Sequence, residues 1–266
     1  MIDTPEKQTT EAPSPEAQRT SRTVWWIVGA AVTGTVLLLA LAATGVWIWS
    51  VASPEKSETR TETYDQAVAG VDVATEVGHI DLSASADSTL VVDRETRWRG
   101  EEPEPTETWH GDTFAAVGEC DDRLVVFWDG DECEVNYTLA LPAGAAAKAE
   151  NSVGDVTMDG LDGTIDVETS VGDIEGENLR ATETVAESSV GSVYLEFAEV
   201  RGGIDVTTST GDVEIVVPDD GTTFDVVFAS GVGSEDIQIA TDPSRSADYV
   251  ITVNTGVGDL TVRYAG

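Results

Sequence analysis

After residue 64 the apolar positions alternate with polar ones in short runs: Val156/Met158, Val193/Leu195, Val213/Ile215/Val217, Phe224/Val226/Phe228 and Leu260/Val262/Tyr264. A period of two predicts strands with one buried and one wet face. The wet positions carry Asp, Glu and Thr, and no window in this region keeps a helical apolar stripe. The strands are joined by a recurring phrase: a residue that is mostly Val, then Gly, then Asp, Ser or His, then, in six of seven copies, an aliphatic residue. Its glycines are Gly78, Gly154, Gly172, Gly191, Gly211, Gly233 and Gly258, and from Gly154 onward they fall 18, 19, 20, 22 and 25 residues apart. A second apolar triplet begins seven residues before most of these glycines, as in Val71-Asp72-Val73, Ile165-Asp166-Val167, Ile204-Asp205-Val206 and Ile251-Thr252-Val253. One unit therefore reads strand, Thr/Ser-rich corner, Gly turn, strand.

A near-constant period of about 20 residues marks a repeat architecture in which each unit buries its apolar edge only against its neighbours. The expected fold is all-β: a β-solenoid with about one repeat per rung. A β-sandwich is the alternative, because strands every 8–12 residues fit it too, but a sandwich does not require one phrase to recur in phase. Glycine at the corner supplies positive φ or close backbone approach, and the Asp or Ser after it can accept a hydrogen bond from its own backbone.

The pattern before residue 64 differs. Residues 24–51 form a 28-residue run without a charge, bracketed by Trp25 and Trp26 at one end and Trp47 and Trp49 at the other. This exceeds the ~20 residues needed to cross a bilayer, and tryptophans at both ends suit the two interfaces. The apolar core of a signal peptide would be shorter, ~7–15 residues. The expected organisation is a disordered tail at 1–23, a transmembrane helix at 24–51, a polar linker at 52–63 and a β-repeat domain at 64–266 interrupted by an insertion at about 94–134. Within that insertion the sequence predicts an exposed acidic loop at 101–105 and a strand at 124–128 followed by an Asp129-Gly130 hairpin turn.

Positive charge on either side of the span does not set its orientation; the cysteines do. Cys120 and Cys133 are the only two in the chain, both lie beyond the span, and a lone pair next to an export-type segment reads as a disulfide in an oxidising compartment. The tail is then cytoplasmic and the large C-terminal part extracellular, held to the membrane through residues 24–51. That part is strongly acidic within a chain of net charge −36. Such a surface repels nucleic acid, so the partners expected are cell-surface or envelope proteins or polysaccharides.

Candidate chemistry is sparse. The sequence carries no GxSxG, no phosphate-cradling loop with its lysine and no clustered Cys and His for zinc; no catalytic residue and no cofactor is expected. Some pair among so many carboxylates will reach glycosidase spacing by chance, so a carbohydrate-active β-helix enzyme is the weakest of the function classes. If the repeat glycines stack, Asp155 and Asp173 lie one strand spacing, ~4.8 Å, apart, and Asp212 and Asp259 share their column with Ser192 and Ser234 interrupting it; Ca²⁺ could bridge such carboxylates. The sequence favours corner stabilisation over this cation reading. His79 takes the Asp position of its own unit.

The order of a transmembrane run, then Val135 to Gly144 with its Leu141-Pro142-Ala143-Gly144 end, then repeated Ser-Val-Gly-Asp-Val phrases, resembles the putative-adhesin β-strand-repeat family of bacterial, often actinobacterial, envelope proteins, over roughly residues 64–266. The resemblance implies a β-helical, extracytoplasmic domain without catalytic residues. The function it implies is a membrane-anchored, non-catalytic binding or adhesin-like module; the alternative is a sensory or regulatory partner in the envelope stress response. The insertion at 94–134 departs from the family pattern.

Overall fold

The computed structural model describes residues 15–52, 55–100, 102–120, 132–242 and 246–266. The first compact unit contains one helix, Pro15–Ala52. It begins nearer the N-terminus than the expected 24, and residues 15–23 are helical where a disordered tail was expected. Pro15 occupies the first position, where its missing N–H costs nothing, and the long apolar helix already supplies the nucleus onto which Glu16 to Thr23 propagate. Trp26–Gly45 is long and apolar enough to cross a membrane and is unburied by protein. Thr33 and Thr35 donate their hydroxyls to the carbonyls of Gly29 and Ala31 at 2.8 and 2.9 Å, so these polar groups are satisfied within the helix.

The second unit is all-β. Among the described residues one sheet has ten strands, in the edge-to-edge order Lys56–Tyr64, Leu90–Arg99, Glu132–Leu141, Ile80–Ala84, Val156–Asp159, Ile174–Leu179, Val193–Phe197, Val213–Val217, Leu260–Tyr264 and Glu235–Ile237. The other has nine: Phe224–Val232, Tyr249–Val257, Ile204–Thr210, Glu183–Val190, Thr164–Val171, Ala146–Val153, Gly70–Val77, Thr113–Gly118 and Thr106–His110. Each repeat rung is one strand from each sheet joined by a glycine corner, and neighbouring repeat rungs pair in parallel, as in Ile165↔Thr184 and Ile174↔Val193. This is the stacked repeat expected of a solenoid. The alternation places Ile165, Val167, Ile174, Val193, Leu195, Ile204, Val206, Val213 and Ile215 in one continuous core between the sheets.

The rungs are not stacked wholly in chain order. Tyr249–Val257 and Leu260–Tyr264 insert between the rung of Ile204–Thr210 and Val213–Val217 and that of Phe224–Val232 and Glu235–Ile237. At the other end Gly70–Val77 and Ile80–Ala84 insert in the same way between later strands. The inserted Tyr249–Val257 and Leu260–Tyr264 rung fits its place because it and both its neighbours carry the same corner, at Gly258, Gly211 and Gly233.

Two expected segments take other forms. Residues 56–63 are strand rather than polar linker: Lys56–Tyr64 pairs antiparallel with Leu90–Arg99 along its whole length. A strand with one neighbour and little buried surface needs no apolar alternation, so its Lys, Glu, Thr and Arg read as a linker. The insertion at 94–134 also belongs to the sheets. Leu90–Arg99 pairs antiparallel with Glu132–Leu141, and the hairpin Thr106–His110/Thr113–Gly118 extends the second sheet. Pro103, expected in an exposed acidic loop, is buried. Leu124 to Trp128 and Asp129-Gly130 lie outside the described residues.

The end of the stack formed by these additions is sealed. Tyr64, Trp109 and Phe114 pack ring against ring with centroids 5.2–5.6 Å apart. Arg94 on one sheet donates to Glu107 on the other at 2.5 Å, both side chains largely withdrawn from solvent. Beside them burial pushes the Tyr137 phenol up to about 12. The Cys120–Cys133 disulfide, Cα atoms 5.9 Å apart, joins the two sheets at this end, and Glu76 accepts the Cys120 amide at 2.8 Å.

Candidate functional site

The repeated corners form one edge of the stack, in which three side-chain columns run from rung to rung. The innermost lies three residues before each glycine and is polar throughout: Thr75, Asn151, Thr169, Ser188, Thr208, Thr255 and Ser230. Four members donate to a glycine carbonyl of the preceding rung: Asn151 to Gly78 at 2.7 Å, Thr169 to Gly154 at 3.1 Å, Ser188 to Gly172 at 3.1 Å and Thr208 to Gly191 at 3.3 Å. Those carbonyls lie where the next rung's glycine would carry a Cβ. A Cβ on Gly172, whose φ is +154°, would stand 2.0 Å from the Gly154 oxygen, and one on Gly191 would stand 1.9 Å from that of Gly172. Both close approach and backbone conformation therefore demand glycine.

The second column is the residue after glycine. Asp155 accepts the Asp173 amide at 2.9 Å, Asp173 that of Ser192 at 2.7 Å, and Asp212 that of Asp259 at 2.8 Å. Asp259 accepts both the amide and the hydroxyl of Ser234, at 2.7 and 2.9 Å. At the other end Asn136 accepts the His79 amide at 2.7 Å and His79 Nδ1 accepts that of Asp155 at 3.3 Å. The acceptor was expected to serve its own backbone; instead it serves the next rung, because the adjacent amide one strand spacing away points directly at it. The amide and hydroxyl of Ser234 hold the Asp259 carboxyl below the usual carboxylate range.

The four aspartates singled out for a cation thus fall into two adjacent pairs, Asp155 with Asp173 and Asp212 with Asp259, each using Oδ1 for the neighbouring rung. Among the described residues no group of three or more His, Cys, Asp or Glu could hold a metal ion. An open groove of ≈ 580 Å³ runs beside the column, lined by Asp173, Glu175, Ser192, Tyr194, Asp212, Glu214, Asp259 and Thr261 among others.

The third column is the residue before glycine. Val77, Val153, Val171, Val190, Val257 and Val232 are 38–67% exposed, and an exposed Thr210 stands between Val190 and Val257. Strict alternation would turn these side chains inward, but the corner turns them out. The sequence pattern shows these valines as part of the phrase but not their exposure, because the period alone assigns them to the inner face. His110 ends the strand Thr106–His110 and is exposed, while its neighbour Trp109 packs on the core.

Residues 136–263 match the family model described as Toastrack DUF4097. This stretch is a Toastrack domain. The match bears out the resemblance read from the Leu-Pro-Ala-Gly end and the repeated Ser-Val-Gly-Asp phrases. No curated protein matches the chain. Among solved structures, a putative cell adhesion protein from Clostridium sporogenes ATCC 15579 is similar at 13% identity, covering 80% of this chain and 100% of that one, with a TM-score of 0.45. A putative adhesin from Bacteroides fragilis NCTC 9343 is similar at 17% identity over 79% and 97%, with a TM-score of 0.42. Similarity at this level carries no function from those proteins to the Toastrack domain described here. The apolar helix that precedes the domain is compatible with a single-pass anchor or a signal sequence.

Proposed function

We propose that the protein is a single-pass membrane protein with a cytoplasmic N-terminus, whose Toastrack domain acts outside the cell as a non-catalytic binding module of the adhesin type. The observation that carries this reading is the exposed valine column. Exposed Val153, Val171 and Val190 repeat at one strand spacing beside acceptors already fixed by the ladder. Such an edge offers the same small apolar contact several times along a line. It suits an extended envelope protein or polysaccharide, whose successive units each add a weak contact. The apolar, unburied helix supports anchoring, and the Cys120–Cys133 bond supports an oxidising compartment.

Protease added to intact protoplasts should remove the β domain and leave the helix cell-bound. Cells carrying the chain should retain more purified envelope material than cells carrying it with Val171→Asp and Val190→Asp. Both positions are half exposed, so the fold should survive both changes. Equal retention by the two would refute the valine edge as the binding surface. If wild-type cells bind no envelope fraction but loss of the chain alters envelope-stress transcription, the sensory reading replaces the adhesive one.

A further inference from the structure

The two ends of the stack differ in a way that the binding edge does not explain. At the sealed end the outermost strand Lys56–Tyr64 carries Lys56, Glu58, Arg60 and Glu62, and charged edges of this kind resist pairing with another chain. The opposite end finishes on Phe224–Val232, outermost in its sheet, with Asp225 as its only charge. Val226 and Phe228 face inward but stay partly exposed, whereas Ile251 and Val253, which they pair with, are 0% exposed. Phe224 alone is covered: the Asp242 amide donates to its carbonyl at 2.8 Å, and Thr241 forms an isolated parallel bridge with it. Beyond Val226 no further strand lies outside this one among the described residues. The last strand of the other sheet, Glu235–Ile237, is short and acidic, which blunts that edge.

We infer that Phe224–Val232 is the contact strand of a two-fold dimer, in which a second copy of this chain lays its own Phe224–Val232 antiparallel against the first. At the sealed end Lys56–Tyr64 is charged along its length and the other outer strand, Thr106–His110, is only five residues long with Glu107 at its middle, so the partner that matches the nine residues of Phe224–Val232 is the same strand of a second copy, which makes the contact symmetric. The single charge fits this geometry. Antiparallel pairing centred on Phe228 sets each Asp225 against Gly231 across the axis and holds the two carboxylates about 20 Å apart along the strands, well beyond the ~8 Å Debye length of physiological salt. Parallel addition would set Asp225 against Asp225. The dimer would cover Val226 and Phe228 and give the outer backbone groups partners. The end of a two-layer stack offers about 600 Å² per copy, from strands about 30 Å long over about 20 Å of depth. That falls short of the ~800 Å² of a standard interface, so the association is weak, and the net charge of −36 on each copy makes it tighten with salt.

Sedimentation velocity on the full chain in detergent micelles, across concentration and salt, tests this directly. A dimer fraction should grow with both, and the amides of Val226, Phe228 and Ser230 should gain hydrogen-exchange protection in step with it. Val227 is 47% exposed on the outer face. Val227→Asp should weaken dimerisation roughly tenfold or more by placing like charges close across the axis, with Ala229→Asp as a second variant and Val227→Thr as the control that retains wild-type association. A wild-type chain that stays monomeric while these amides exchange freely would overturn the inference. So would a dimer that survives both aspartate variants, since the helix would then be its source.

Discussion

Gly172→Ala tests the corner that the whole stack repeats. The added Cβ would lie 2.0 Å from the Gly154 oxygen and 2.5 Å from its carbon, both backbone atoms that no rotamer change can move. A tolerable contact needs at least 3.0 Å, so the two rungs must part locally by about 1 Å against a strand spacing of ~4.8 Å. Four hydrogen bonds span that gap: Gly154 N to Val171 O at 2.9 Å, Val156 N to Asp173 O at 3.0 Å, Asp173 N to Asp155 Oδ1 at 2.9 Å and Thr169 Oγ1 to Gly154 O at 3.1 Å. Parting the rungs stretches all four beyond useful length. At ~1 kcal/mol each, with some relaxation, the loss is about 3–4 kcal/mol. The positive φ adds about 1 kcal/mol, giving about 4–5 kcal/mol in all. Gly144→Ala separates the two causes, since Gly144 has φ +76° and nothing within 4 Å of its Cβ position. It should cost only the conformational part, about 1–2 kcal/mol. Urea unfolding of the full chain in micelles, with hydrogen exchange at Val156 and Asp173 to catch local opening, measures both. If Gly172→Ala costs no more than Gly144→Ala, the close approach of rungs does not fix the glycine and the account of the corner is wrong.

Three further outcomes follow from the same geometry. Asp173→Asn keeps an oxygen for the Ser192 amide and should change stability by less than about 0.5 kcal/mol, whereas Asp173→Ala orphans that amide and should cost about 1 kcal/mol in the same denaturation assay. The Asp259 carboxyl sits below its ordinary value in the folded protein, so its contribution is present above the unfolded-state value and is lost as pH falls through the folded one. Ser234→Ala removes one donor and should move the Asp259 NMR titration midpoint upward; an unmoved midpoint would show that the hydroxyl does not act on it. Cys120→Ala should destabilise the sealed end by about 3 kcal/mol, the chain-entropy figure for a loop of this size. Amide exchange at Thr113–Gly118 should rise while that at Val193–Phe197 stays unchanged; a loss of protection throughout would contradict nearest-neighbour stacking.

Much of the fold was legible because periodic physics writes a periodic sequence. The alternation gave the inner faces of both sheets, and the seven glycines do fall in one column. The missed elements are those with no such constraint. Lys56–Tyr64 has a neighbour on one side only, so nothing forces apolar residues into it. Thr106–His110 and Leu90–Arg99 pair antiparallel outside the repeat and lack its corner. The exchanged rung order was unreadable for the opposite reason: Tyr249–Val257 carries the same corner as Thr164–Val171 and would pair with either neighbour equally well. Only the widening of the glycine spacing to 22 and 25 residues hinted that the chain needed a longer path there. The roles of the corner side chains were half visible. Asp155 and Asp173 were recognisable as corner residues, but whether a carboxylate serves its own amide or the next rung's depends on a distance that no local pattern encodes.

That distinction changes what a corner residue does. An aspartate that capped its own turn would stabilise one unit and leave the stack indifferent. An aspartate that accepts from the following rung, with a hydroxyl of that rung donating back to the glycine carbonyl, makes the corners of Asp155 with Thr169 and of Asp173 with Ser188 two-way bonds between neighbours. Cohesion then resides between rungs rather than within them, and it is lowest where a rung has one neighbour. At the sealed end the chain replaces the missing neighbour with Tyr64, Trp109, the Arg94–Glu107 pair and a disulfide. At the other end the ladder stops at Ser234, whose hydroxyl turns back to Asp259, and described strands add nothing beyond it. A stack built on neighbour bonds is incomplete at such an end, and a second copy of the same rung is the surface whose shape and charge spacing complete it.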